Sequence, residues 1–178
     1  MRAEANSIAT LRLLERAPAL RRVLADRLAD DFASFAKRAW SILHPNRKLI
    51  WSWHYEYLCE LLTLVKQGDL LRLIINVPPR SLKSTLVTIL FPVWFWTSEP
   101  EHNFMVASYS MELSTEHSLT RRRLLQSPWF QGLWGGKFQL AADRNQAAQF
   151  TNDRWGSMIR DLGGRKRARP RRRYSNPG

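Results

Sequence analysis

Residues 71–85 read LRLIINVPPRSLKST, and the reading of this stretch decides the fold. Leu71 to Val77 is a short apolar run with β-branched residues, closed by Pro78 and Pro79. Such a run reads as a buried strand. Lys83, Ser84 and Thr85 then open a third helix, expected to begin near Ser84, whose apolar residues continue to Phe91. Pro92 should kink or end that helix. A strand, a loop and a Lys-Ser-Thr helix start is the setting of a phosphate-binding loop. The leading N–H groups of a helix have no partner inside it, and the helix dipole adds positive charge there. Lys83 would reach the β- and γ-phosphates, and the Ser84 hydroxyl would ligate Mg²⁺. The loop departs from the pattern G-x-x-x-x-G-K-[ST], since Val77 and Leu82 stand where the glycines would be. Leu82 is the graver departure, because glycine there takes φ > 0 and a leucine resists it. From these residues alone, an ordinary strand-to-helix turn with a solvated lysine is the competing reading.

Outward from the loop, the chain alternates helices and strands. Upstream, Pro18 suits a first helical turn, and Leu20, Leu24, Leu28, Phe32 and Ala36 recur every four residues. That spacing predicts one helix to about Leu43, stopped by Pro45. A second helix should start after Ser52, with Leu58, Leu61, Leu62 and Val65 as its stripe and Gly68 as its C-cap. Downstream, Phe104 to Ser108 reads as a second buried strand. A fourth helix should follow, with Glu112 near its start and Arg121, Arg122 and Arg123 near its end, complementing the dipole. Ser127-Pro128 reads as a cap with a first-turn proline. The fold class expected from this order is α/β, a parallel sheet with flanking helices, preceded by a helical N-terminal segment over residues 1–70 and followed by a disordered basic tail over 160–178.

Charge narrows the partners. The 178 residues carry a net +13, of which residues 160–178 supply +7, with one acid among eight bases. That balance points to a polyanionic partner, nucleic acid or nucleotide phosphate. A single cysteine, Cys59, excludes an internal disulfide framework. The longest apolar stretch, Leu86 to Trp96, has eleven residues, against about twenty for a membrane-spanning helix. No membrane partner and an intracellular location are expected.

The loop and its flanks resemble a family. RLIINVPPRSLKST is similar to the phosphate-binding segment of the large terminase subunits of tailed bacteriophages, whose loops read PPR-x-x-KS and accept a non-glycine before the lysine. WHYEYLCELL resembles that family's helix upstream of the loop, FMVASYSMELS its next strand and helix, LLQSPWF the stretch after, and QFTNDRWGSMI a later hairpin. The likeness is collinear over about residues 30–159. It implies an α/β, P-loop NTPase-like fold that is incomplete here, with residues 71–159 as a partial ATPase domain, and an ATP- and Mg²⁺-dependent motor that packages double-stranded DNA in the cytoplasm of a bacterial host cell, with a portal protein and a small terminase subunit as partners. It implies an ATP site at Arg80, Ser81, Leu82, Lys83, Ser84 and Thr85, with Trp53 and His54 in the segment leading to the adenine side. The family also carries a Walker B acid and a nuclease domain. No acid after residue 85 follows four consecutive apolar residues, so this chain is expected to be a truncated and catalytically incompetent copy. The likeness stops at Ile159-Arg160, where Arg, Gly and Pro supply twelve of the last nineteen residues. A frameshift in a GC-rich prophage gene is the expectation, with a genuine basic arm as the alternative.

Two other functions compete, a non-enzymatic nucleic-acid-binding module and a fragment of another P-loop DNA motor such as a helicase. For DNA contact the candidates are Arg121, Arg122, Arg123, Arg165, Lys166, Arg167, Arg169, Arg171, Arg172 and Arg173, though the 121–123 run reads most simply as a solvated helix end. Most of the eight tryptophans should pack in the core, with Trp129, Phe130 and Trp134 the better candidates for a surface role. His117 reads as a packed histidine.

Overall fold

The computed structural model describes residues 17–108, 110–141 and 149–161. Its elements are α1 (Pro18–Asp30), α2 (Phe32–Leu43), α3 (Trp53–Gln67), a π-wound segment (Thr85–Leu90) leading into α4 (Phe91–Trp96), β1 (Phe104–Ala107), α5 (Met111–Leu125), α6 (Pro128–Trp134), β2 (Gln149–Thr151) and β3 (Ser157–Asp161). The fold is mixed α/β, dominated by helices.

The first helix is two. Asp31 breaks it with extended backbone (φ −117°, ψ 100°), and its carboxylate accepts from the Ser34 N–H at 3.0 Å. An aspartate three residues before a serine offers the backbone a cap that continuous helix cannot match. Leu20 stays exposed, while Leu28, Phe32 and Ala36 reach the core. The second helix follows expectation, ending on Gly68 with φ +84°, the left-handed C-cap that glycine allows.

The third helix differs in a more instructive way. It opens at Lys83 and passes through Pro92 to Trp96 without ending. Ahead of the proline it shifts register, with the Phe91 N–H donating five residues back to the Leu86 carbonyl. Proline removes a helical donor, and the wider π turn takes up the misfit.

The sheet has three strands in the order β1-β3-β2, with β1 parallel and β2 antiparallel to β3. It is therefore mixed rather than parallel. QFTNDRWGSMI does form a hairpin, pairing Phe150 with Met158. β3 runs to Asp161, two residues into the stretch expected as tail. The run 71–77 is not in the sheet. No backbone hydrogen bond joins residues 71–80 to another described residue. Leu73, Ile75 and Val77 are half-buried, whereas Leu71 is 87% and Ile74 94% exposed. The alternation is that of a strand covered on one face, but no described neighbour pairs its edges or covers the other side. The expected buried strand is thus an extended segment.

One core joins the helical N-terminal part to the elements downstream of the loop. Phe32 packs on Trp94 at 4.8 Å and Phe35 on Trp129 and Trp134 at 5.7 and 5.9 Å. The Trp94 indole donates to the Leu28 carbonyl at 2.9 Å, and the Lys66 ammonium lies 3.9 Å over the same ring. Trp129, Phe130 and Trp134 are all buried. Their surface role is overturned: α6 turns Trp129 and Trp134 onto Phe35 and Phe130 onto Phe138, where aromatic area is removed from water. The remainder of the expected basic tail, 162–178, lies outside the described residues.

Candidate phosphate-binding loop

Residues 77–85 fold into a cavity of about 490 Å³ that they line by themselves, from Val77 through Pro78, Pro79 and the loop to Thr85. Pro79 and Arg80 form the turn, and the chain then enters the helix. Arg80 has φ +64° and Leu82 φ +54°, with no positive φ at Ser81 between them. Each non-glycine residue held in the left-handed region costs about 1–3 kcal/mol. Leu82 thus adopts the conformation that the missing glycine would have taken freely. Alternating handedness at successive residues turns consecutive N–H groups toward one side, the geometry of an anion-binding nest.

The helix start is left open. The first intrahelical bond runs from the Leu86 N–H to the Leu82 carbonyl at 2.9 Å. The Ser84 side chain makes no cap, and the buried Ser81 hydroxyl has no hydrogen-bond partner. A buried hydroxyl without a partner costs about 1–3 kcal/mol. Six of the expected site residues, Arg80, Ser81, Leu82, Lys83, Ser84 and Thr85, line this one cavity. The two prolines and Val77 complete its wall, which the motif alone did not single out. Trp53 and His54 are not among the lining residues. They sit at the start of α3, with Trp53 78% exposed and the His54 ring 3.1 Å from the Ser52 hydroxyl and 3.9 Å from the Tyr55 ring, tilted 57° to it.

These residues fit the phosphate half of a nucleotide. Orphan N–H groups, an unpartnered hydroxyl, an arginine and a lysine are all donors or cations, and no carboxylate lines the cavity. For Mg²⁺ they offer the Ser84 hydroxyl and no acid, so phosphate and water oxygens would have to complete the ion's shell. Among the described residues no group of three or more His, Cys, Asp or Glu could hold a metal.

The arginine run divides. Arg122 and Arg123 line a groove of about 650 Å³ between the end of α2 and the end of α5, floored by Ile42, Leu43 and Leu119. Burial, with Arg47 and Arg123 nearby, holds His44 below the ordinary histidine range. Arg121, expected at a solvated helix end, is instead 1% exposed. It points inward because α5 lays Ser114, Ser118 and Arg121 along its buried face, a spacing of three to four residues. Burial pulls its guanidinium down to about 10, so it stays charged at neutral pH. His117 is half-buried and held low by burial and by Arg121, against Glu116. Arg165, Lys166, Arg167, Arg169, Arg171, Arg172 and Arg173 lie outside the described residues. Among the described residues, no helix is long and apolar enough to cross a membrane.

No protein-family model, no curated protein and no solved structure matches the chain.

Proposed function

We propose that the chain binds the phosphates of ATP·Mg²⁺ at residues 78–85 and represents the nucleotide-binding part of a DNA-packaging motor of the large-terminase type. The observation that carries the reading is the backbone of Leu82. A leucine at φ +54° is strained, and strain of this kind gathers where a loop must present its N–H groups to a ligand. Lys83, Arg80 and the open helix start supply donors and positive charge, and the Ser81 hydroxyl supplies one more donor. The motor assignment rests on the collinear likeness of the flanking motifs. With no acid lining the cavity, nothing there orients an attacking water, so binding without appreciable hydrolysis is the expected state of this chain. Double-stranded DNA is the polyanionic partner in this reading, met by Arg122 and Arg123 at the groove and by the basic run 165–173.

Titration calorimetry with ATP·Mg²⁺ tests the site. Lys83→Ala removes a charge-assisted phosphate contact worth about 1.5–3 kcal/mol. Affinity should fall about ten- to a hundred-fold, with the melting temperature unchanged. Equal affinities for the two chains would remove the phosphate-loop assignment. Phosphate release above background, abolished by Lys83→Ala, would contradict the expected inactivity.

A further inference from the structure

The nucleotide reading leaves one buried charge unused. Arg121 lies within the core, and among the described residues no carboxylate pairs with it. Its Nε has no partner, but its Nη1 donates to the Thr88 carbonyl at 2.7 Å. Thr88 lies in the π-wound segment, one turn beyond Ser84. Between the five-residue register at Phe91 and the four-residue register of α4, the carbonyls of Val87, Thr88 and Ile89 face the N–H positions of residues 92 and 93. Residue 92 is proline and has none. A buried carbonyl deprived of its donor is costly unless another group replaces it.

We propose that Arg121 is the positioning residue of the loop helix: its guanidinium supplies a donor to the stretch of carbonyls that Pro92 leaves one N–H short, and so fixes the turn from which Lys83, Ser84 and Thr85 face the phosphate cavity. The exchange is specific in its chemistry. The helix keeps Pro92, which packs in the core with Phe91 and Trp94, and a side chain from α5 closes the gap in its hydrogen bonding. It also ties α5 to the loop helix, since the contact spans 33 residues. The contribution to ligand binding rests on the nucleotide reading; the hydrogen-bond substitution does not.

A substitution cycle separates the two. Arg121→Met keeps most of the length of the side chain and removes its donors. Pro92→Ala returns the missing N–H to this stretch of the helix. Amide hydrogen exchange over residues 85–96 reads the helix without ligand, and calorimetry with ATP·Mg²⁺ reads the loop. Arg121→Met should speed exchange in that segment at least tenfold and weaken ATP·Mg²⁺ binding about tenfold. Adding Pro92→Ala to Arg121→Met should bring both back to within about twofold of the wild-type chain. Arg121→Lys, which keeps one donor on a shorter reach, should fall between. If Arg121→Met alone does not fold, recovery of a folded chain in the double variant is itself the rescue. A double variant no better than Arg121→Met overturns the proposal, because a merely space-filling arginine is not replaced by a backbone N–H on another helix. Exchange unchanged in Arg121→Met overturns it as well. A wild-type chain that does not bind ATP·Mg²⁺ removes the nucleotide reading, and the exchange arm then decides the substitution by itself.

Discussion

Two kinds of helix start occur in this molecule. At α2, α5 and α6 a side chain closes the first turn: Asp31 accepts from Ser34, Ser110 from Leu113 and Ser127 from Phe130. At the loop helix no side chain does so, although Ser81 and Ser84 are both at hand. The capped starts follow extended residues of ordinary φ, and the uncapped α1 and α3 also follow residues of negative φ; among the described starts the loop helix alone follows residues in the left-handed region, Arg80 and Leu82. The same chemistry, a serine or aspartate before a helix, is used for stability in three places and withheld in two: at α3, where the Ser52 hydroxyl lies 3.1 Å from the His54 ring instead, and at the loop helix. The difference teaches where orphan N–H groups are kept available, because a start capped by its own chain has less left to offer a phosphate.

The largest expected effect comes from closing the open start. Leu82→Asp places a carboxylate at the residue whose carbonyl takes the first intrahelical bond, where aspartate is a good cap, and aspartate tolerates the left-handed region better than leucine. The carboxylate would accept from the leading N–H groups and set negative charge where phosphate would lie. ATP·Mg²⁺ affinity should fall about a hundred-fold or more, some 2.7 kcal/mol, while the melting temperature holds or rises. Binding as tight as in the wild-type chain would show that the loop N–H groups take no part.

The converse experiment opens a closed start. Ser127 is buried, accepting from the Phe130 N–H at 3.2 Å and donating to the Leu124 carbonyl at 2.7 Å. Ser127→Ala should cost about 1–2 kcal/mol of stability and leave nucleotide affinity unchanged, as read by denaturant unfolding and calorimetry. A loss of affinity equal to that of Lys83→Ala would mean that the two kinds of start are not independent.

How much of this is legible in the sequence depends on where the deciding partner sits. Caps are local, so Gly68 and Ser127-Pro128 can be placed from neighbours in the chain, and Ser52 marks the start of α3 although its side chain makes no cap bond. The loop residues 80–85 are legible for the same reason, since a contiguous stretch lines its own cavity. Asp31 reads as part of a helix because the four-residue spacing of Leu28, Phe32 and Ala36 continues across it. Three features depend on long-range contacts. The run 71–77 has the composition of a buried strand, but burial and pairing require neighbours that no local pattern supplies. Arg121 reads as a solvated charge until α5 is set against the π-wound segment. Trp129 and Trp134 sit among basic and loop-forming residues in sequence, and against Phe35 in space.

Leu82→Gly sharpens the contrast from the side of strain. Glycine adopts φ +54° freely, so the variant should recover the left-handed cost of about 1–3 kcal/mol, less about 0.5–1 kcal/mol of added chain entropy. A net gain of about 1 kcal/mol is expected, as a higher denaturation midpoint at unchanged slope. Nucleotide affinity should be kept, because the donors stay in place. A lower midpoint would show that leucine packing outweighs the backbone strain, and that the loop is shaped for burial rather than for a ligand.

The smallest effect concerns the groove at the far end of α5, where the helix collects positive charge instead of presenting open N–H groups. His44 is held below the ordinary histidine range by burial first, then by Arg47 and Arg123. The folded chain therefore favours the neutral ring more than the unfolded chain does. The stabilisation this gives is full above the ordinary histidine value of about 6.5 and is lost as pH falls from there through the lower folded value. Arg123→Gln removes one of the cations, so the His44 titration followed by NMR should move upward. The acid side of the stability profile should flatten, by an amount small beside the effects above because His44 is partly solvated. ATP·Mg²⁺ affinity should not change, since Arg123 lines the groove and not the loop cavity. A His44 titration indifferent to Arg123→Gln would leave burial and Arg47 as its controls. The groove would then be no concentration of charge, and the proposal that it meets DNA would fall with it.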